Sequence, residues 1–183
     1  MSVKLIKIIK EWLPIVFLIV LINIFFARAG IKGRSMFPTI ADSDNVFMTR
    51  VVMNYKRGDI VFYKKNGQHY ISRVIGLPGE TIEINKNNIL INNNILEENY
   101  LGTKDVSKTC EKSNFCGSLN LPHDSYYLLG DNREITQDSL KFGPIKSSEL
   151  IGKAYLSVHN LFKWQLMKTP NYVVRSDENK INN

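Results

Sequence analysis

The chain has 183 residues, 44% of them hydrophobic, and a formal net charge of +7. That is one domain's worth of sequence, with enough apolar content for a core, plus appendages. The basic balance suits a polyanion or an anionic membrane surface. The charge is dispersed, however, with only short clusters such as Lys56/Arg57 and Lys64/Lys65, and no zinc-finger, helix-turn-helix or RNA-recognition signature accompanies it, so nucleic acid is set aside as a partner.

In chain order, the first feature runs from Trp12 to Ala27, "WLPIVFLIVLINIFFA", sixteen residues without a charge behind Lys4, Lys7 and Lys10. As a helix it rises about 24 Å, somewhat less than a hydrocarbon core of roughly 30 Å. Counting Leu5 to Glu11, with the lysines snorkelling, closes the gap. The reading is a basic segment (1–11) followed by one N-terminal transmembrane helix (12–27) that holds the rest of the chain at a lipid bilayer. "ARAG" at 27–30 keeps a cleaved secretory signal as the competing reading. Arg28, Lys32 and Arg34 balance the three lysines before the segment, so charge does not fix its orientation.

Residues 28–170 read as a mainly β domain. Apolar or alternating runs occur at 45–53, 59–65, 69–77, 81–85, 88–96, 125–130 and 150–159. Asn66-Gly67 is the dipeptide that best tolerates positive φ at both centres of a type I′ turn. It predicts a hairpin with Lys65 opposite Gln68, Tyr63 opposite Tyr70 and Val61 opposite Ser72. Residues 99–120 form a polar excursion holding Cys110 and Cys116. In an exported domain these two close a small disulfide loop contributing about 2 kcal/mol on the loop-entropy model; otherwise they are unrelated thiols. A zinc site lacks its four ligands. His123 and His159 are isolated and read as surface or core residues. The polar tail, 171–183, is expected to be disordered.

Four stretches then stand in one order behind the apolar segment: "GRSMFPT" (33–39), "RGDIVFY" (57–63), "YISRVIGLPGE" (70–80) and "LLGDNREITQDSLKFGPI" (128–145). Together they resemble the type I signal peptidases, membrane serine proteases that remove signal peptides from exported proteins. The resemblance covers nearly the whole chain from the anchor to about residue 160. It implies a coiled or barrel-like β-sheet catalytic domain with a small β insertion, on the periplasmic or extracellular side of a bacterial cytoplasmic membrane. It implies signal peptides of preproteins as partners, and no metal or cofactor. It makes Ser35 the nucleophile, with its own backbone N–H helping to stabilise the oxyanion. "GDNR", with Asp131, matches the family's final box. Asp138 falls where an acid pairs with arginine, with Arg73 as its expected partner. Thr136 aligns with the hydroxyl that supports the catalytic base, and Leu140 stands where an arginine is usual. The resemblance also favours the Cys110–Cys116 disulfide.

One departure bears on the chemistry. The family's general base is a lysine immediately before the arginine, kept neutral by apolar burial; here that position is Ser72. A serine hydroxyl has no lone pair of useful basicity near neutral pH. Losing the base from a coupled pair costs on the order of 10⁴ to 10⁶ in rate. Strand parity puts Ser72 on a face with Tyr70 and Val74 and turns His69 and Lys64 away. Lys65 pairs with Gln68, about 13 Å along the strand from Ser72. Only a bulge would reverse the parity. The sequence therefore leaves two functions open: a signal peptidase with impaired catalysis, or an inactive pseudo-peptidase that binds signal peptides or partner proteins at the membrane.

Overall fold

The structure, a computed structural model, describes residues 3–52, 54–85, 88–101, 117–135, 137–160, 163–170, 172 and 174–176; of 3–9, 160 and 174–176 it describes the backbone alone. Val3–Phe25 forms α1, with Pro14 inside it. Its apolar side chains face outward on every side, Trp12 at 59% exposure and Phe17 at 62%. The uncharged stretch 12–25 rises about 21 Å, and no helix among the described residues is long and apolar enough to cross a membrane.

The helix stops short of the apolar run. Phe26 and Ala27, expected inside the membrane segment, instead open β1 (Phe26–Gly30), which pairs with β2 (Asn45–Thr49), Phe26 opposite Thr49 and Gly30 opposite Asn45. The reason is hydrogen-bond supply: β2 offers a ladder to the backbone of 26–30, and Arg50 closes the helix end. Its N–H donates to the Phe25 carbonyl at 2.9 Å and its guanidinium to the Asn23 carbonyl at 3.2 Å.

Beyond β2 the chain builds two antiparallel sheets. The larger joins β1 and β2 to β3 (Ile60–Lys65), β4 (Gln68–Gly76), β9 (Ser125–Leu129), β10 (Ile145–Lys146), β11 (Leu150–Asn160) and β12 (Lys163–Leu166). Its order is β1-β2-β11-β3-β4-β9-β10, with β12 on β11. The smaller contains β5 (Thr81–Ile84), β6 (Ile89–Ile91), β7 (Asn94–Leu96), β8 (Gly117–Asn120) and β13 (Val174–Ser176), in the order β13-β7-β6-β5-β8. The apolar run 88–96 is thus two strands, because Asn92 and Asn93 take φ of 50° and 64° and turn the chain. Within the polar tail, β13 adds to β7 and Tyr172 packs against the apolar cluster of Ile75, Ile82 and Leu129, while 171, 173 and 177–183 lie outside the described residues. Cys110 and Cys116 lie outside the described residues.

The β3–β4 hairpin positions the site. Asn66 and Gly67 have φ of 50° and 80°, and the register is the one their turn implies: Lys65 opposite Gln68, Tyr63 opposite Tyr70, Val61 opposite Ser72. Alternation then sends Ile60, Phe62 and Ile71 into a cluster with Met36 and Ile40, and Val61, Tyr63 and Val74 into a second cluster with Leu128 and Ile145. On its other side β4 meets β9 only from Arg73 onward. The edge of residues 68–72 therefore has no strand partner among the described residues.

Gly67→Val puts a β-branched residue at positive φ and is expected to destabilise the domain by about 1–3 kcal/mol in urea unfolding followed by tryptophan fluorescence. An unchanged midpoint would show that this turn does not set the register.

Candidate active site

Ser35 lies in the loop joining β1 to β2. That loop is tied down on both sides of it. The Gly33 N–H donates to Asp42 Oδ1 at 2.7 Å, the Ile40 N–H donates to the Met36 carbonyl at 2.8 Å, and Met36 and Ile40 are buried at 1% and 0%. Ser35 itself is half-buried. Among the described residues its hydroxyl has no hydrogen-bond partner and its N–H has no acceptor, so both stay available to an incoming group. Its carbonyl accepts from the Asn132 N–H at 2.9 Å.

That bond joins the loop to 130–133, and a buried ion pair joins both to β4. Arg73, 2% exposed, donates through Nε to Asp131 Oδ1 at 2.8 Å and through Nη2 to Oδ2 at 2.6 Å. Thr39 donates to the same carboxylate at 2.5 Å, and Arg73 Nη1 donates to the Gly58 carbonyl at 2.9 Å. Burial works against the guanidinium's charge, but Asp131 outweighs it and holds Arg73 above the usual arginine range. The guanidinium also lies 4.1 Å from the centroid of Tyr100. Tyr100 donates to Glu98, which pairs with buried Arg133 at 2.5 Å.

Arg73 is therefore paired with Asp131 and not, as the sequence pattern suggested, with Asp138. Asp138 instead caps α2 (Ser139–Phe142): its Oδ1 accepts from the Leu140 N–H at 3.0 Å and its Oδ2 from the Gly130 N–H at 2.8 Å. Leu140, in the position where an arginine was expected, is buried against Ile75 and Tyr127. Thr136 lies outside the described residues.

Ser72 is 1% exposed, and its hydroxyl stands 3.4 Å from that of Tyr63. Tyr63 in turn donates to the Gln137 carbonyl at 3.0 Å. Loop 130–138 thus touches Ser35 at one end and the Ser72–Tyr63 pair at the other, although the two serines do not hydrogen-bond each other. Burial pushes the Tyr63 hydroxyl well above the usual tyrosine range, so it stays protonated. The other basic groups considered from sequence are engaged or turned away. Lys65 Nζ sits 2.8 and 3.0 Å from the Glu149 carboxylate, Lys64 and His69 are exposed beside the hairpin's turn, and His123 packs against Gly79. His159 is not isolated: its Nδ1 lies 2.6 Å from Asp44 Oδ1, and Ser157 donates to Asp44 Oδ2 at 2.9 Å. No sequence signal connects these positions, which meet only where β11 lies beside β2.

A groove of about 490 Å³ is lined by Ile31, Met48, Phe62, Ile71 and their neighbours, and neither Ser35 nor Ser72 is among its lining residues. One wall carries Ile31 and Lys32, a few residues before Ser35, and the other carries His69, Tyr70 and Ile71, immediately before Ser72. Among the described residues no His, Cys, Asp or Glu group is arranged to hold a metal.

Comparison with known proteins points to one family. The sequence profile described as "Signal peptidase, peptidase S26" matches residues 5–159. A signal peptidase I P of Bacillus subtilis subsp. natto is 33% identical over 144 residues, covering 72% of this chain and 77% of that protein. A signal peptidase IB of Staphylococcus aureus is 33% identical over 145 residues, covering 67% and 72%. A crystal structure of a signal peptidase I from Enterococcus faecalis is 34% identical, with a TM-score of 0.48, covering 56% of this chain and 98% of that one.

Two stability predictions follow from this geometry. Asp131→Ala strands a buried guanidinium and is expected to cost about 3–5 kcal/mol in thermal unfolding; a loss within about 0.5 kcal/mol, as for a surface substitution, would contradict the pairing. The second concerns acid. Burial tends to raise the Asp44 carboxyl, but the bonds from His159, the Ala41 N–H and Ser157 hold it below the usual 3.8. A folded value below the unfolded one means that this contribution is present above 3.8 and lost as pH falls through the folded value. Wild-type stability should therefore drop more steeply than that of Asp44→Asn below pH 4 or so; parallel acid profiles would contradict it.

Proposed function

The chain belongs to the signal peptidase family, and from that premise we propose that it binds the signal peptides of exported proteins beside Ser35 and cleaves them far more slowly than a relative with a base beside its serine. The observation that carries this reading is the environment of Ser72, a buried hydroxyl whose hydrogen-bond contact is the protonated phenol of Tyr63.

Peptide hydrolysis by a serine needs a proton acceptor, an attacking oxygen and donors for the developing oxyanion. Two of these are supported here. Ser35 is held in a fixed loop, and among the described residues its hydroxyl has no partner and its N–H no acceptor. The proton acceptor is missing. Neither Ser72 nor Tyr63 has the basicity, Lys65 is committed to Glu149, and His159 is committed to Asp44. The groove supports binding independently of this chemistry. The edges of β1 and of β4 at 68–72 that have no strand partner among the described residues both border it, so an extended peptide can add as a strand and place its side chains against Ile31 and Ile71.

Membrane attachment belongs to the same proposal. A helical stretch that is apolar all round, as 12–22 is, finds its place in lipid, and Asn23 donates its side-chain amide to the Ile19 carbonyl at 2.8 Å, which satisfies that donor within the helix. The apolar part of α1, extended by the snorkelling lysines of its first turns, would anchor the β domain on the outer side of a bacterial cytoplasmic membrane.

The test is cleavage of a preprotein in detergent by wild type, Ser35→Ala and Ser72→Lys. Between Val61, Val74 and Tyr63 a lysine is held in its neutral form, so Ser72→Lys should raise the rate by about 10³-fold or more, and the gain should vanish when Ser35→Ala is added. A wild-type rate equal to that of Ser72→Lys would overturn the proposal.

A further inference from the structure

The groove has a chemical bias that goes beyond family membership. Its floor is apolar, with Ile31, Met48, Phe62 and Ile71, while its basic members are Lys32, Arg50 and His69, and neither Asp nor Glu lines it. Lys32 and His69 are exposed, and among the described residues neither forms a hydrogen bond or ion pair. The Arg50 guanidinium donates to the Asn23 carbonyl, which fixes its charge where the groove meets the end of α1. A cationic rim over an apolar floor attracts a ligand that is apolar along its length and carries one anionic group.

We infer that this groove selects peptides bearing a carboxylate next to small or aliphatic residues, the carboxylate lying against Lys32 and His69. The inference rests on the proposed reading of the groove as the signal-peptide site and names which peptides that site prefers. The carboxylate has two sources, an acidic side chain within the peptide or the terminal carboxylate of an already cut one. Exposed ion pairs are individually weak. The Lys32 cation, joined by a hydrogen bond from the His69 ring N–H, should give about a tenfold preference for a carboxylate at low salt. That preference should shrink at high salt, because screening acts on exposed charges.

The experiment measures binding, so that slow cleavage does not obscure it. Full-length Ser35→Ala protein in detergent is titrated into ten-residue peptides of alanine, leucine and valine that carry an uncharged fluorophore at the N-terminus, and anisotropy is read. One peptide carries a central glutamate and an amidated end, one a central glutamine and an amidated end, and one a glutamine and a free terminal carboxylate. The expected result is that one or both carboxylate peptides bind about tenfold tighter than the neutral one, and which of them does so identifies the source. Adding Lys32→Gln and His69→Gln should remove the preference, while Lys64→Gln, on the same hairpin and outside the groove, should keep it. Equal affinity for all three peptides would overturn the charge selection and leave the groove's role standing. Failure of any peptide to bind would overturn both.

Discussion

The pairing of Arg73 with Asp131 is the contact on which the site's geometry rests. Both groups are buried, and each is satisfied only because the other is there: the guanidinium meets the carboxylate at two points, with Thr39 and the Gly58 carbonyl taking up further hydrogen-bonding capacity. A buried charge pair of this kind adds little net stability over an apolar replacement, but it tolerates no loss of either partner. Its value here is positional. It links strand β4, the loop that carries Ser35 and the segment 130–133, three stretches far apart in sequence, and the Asn132 to Ser35 bond completes the link.

That framework does not depend on the residue next to it. Arg73 faces one side of β4 and Ser72 the other, where the packing is with Val61, Tyr63 and Val74. A change at Ser72 therefore alters the proton chemistry without disturbing the ion pair or the groove. On the proposed function, this separation is what would let the chain hold a peptide without activating its nucleophile. The Tyr63 hydroxyl fills the polar contact and keeps Ser72 from being an unsatisfied buried group, so the fold carries no penalty that would force a base back into place.

Much of this was legible in the sequence wherever the signal is local. Asn66-Gly67 dictated the hairpin register to the residue, because positive φ at both positions leaves one turn type. The apolar runs located the central strands. What was not legible depends on contacts far along the chain. Apolarity alone does not say whether Phe26 and Ala27 continue a helix or start a strand; β2 decides it. Asp131 and Asp138 are both acids in one motif, and only the fold shows that one meets Arg73 and the other caps α2. His159 and Asp44 lie on neighbouring strands or their approaches with no spacing rule between them, and the polar tail gave no hint that it would add β13 to the smaller sheet.

On the proposed function, binding and cleavage are uncoupled in this chain by the absence of a base. The most direct measurement is a single-turnover reaction in which excess wild-type protein is mixed with a labelled preprotein, and the bound and cleaved fractions are followed together, beside a lysine-bearing relative under the same conditions. The account predicts saturable binding with a cleavage rate lower by about 10⁴-fold or more. Cleavage at a rate comparable to the relative's would contradict it.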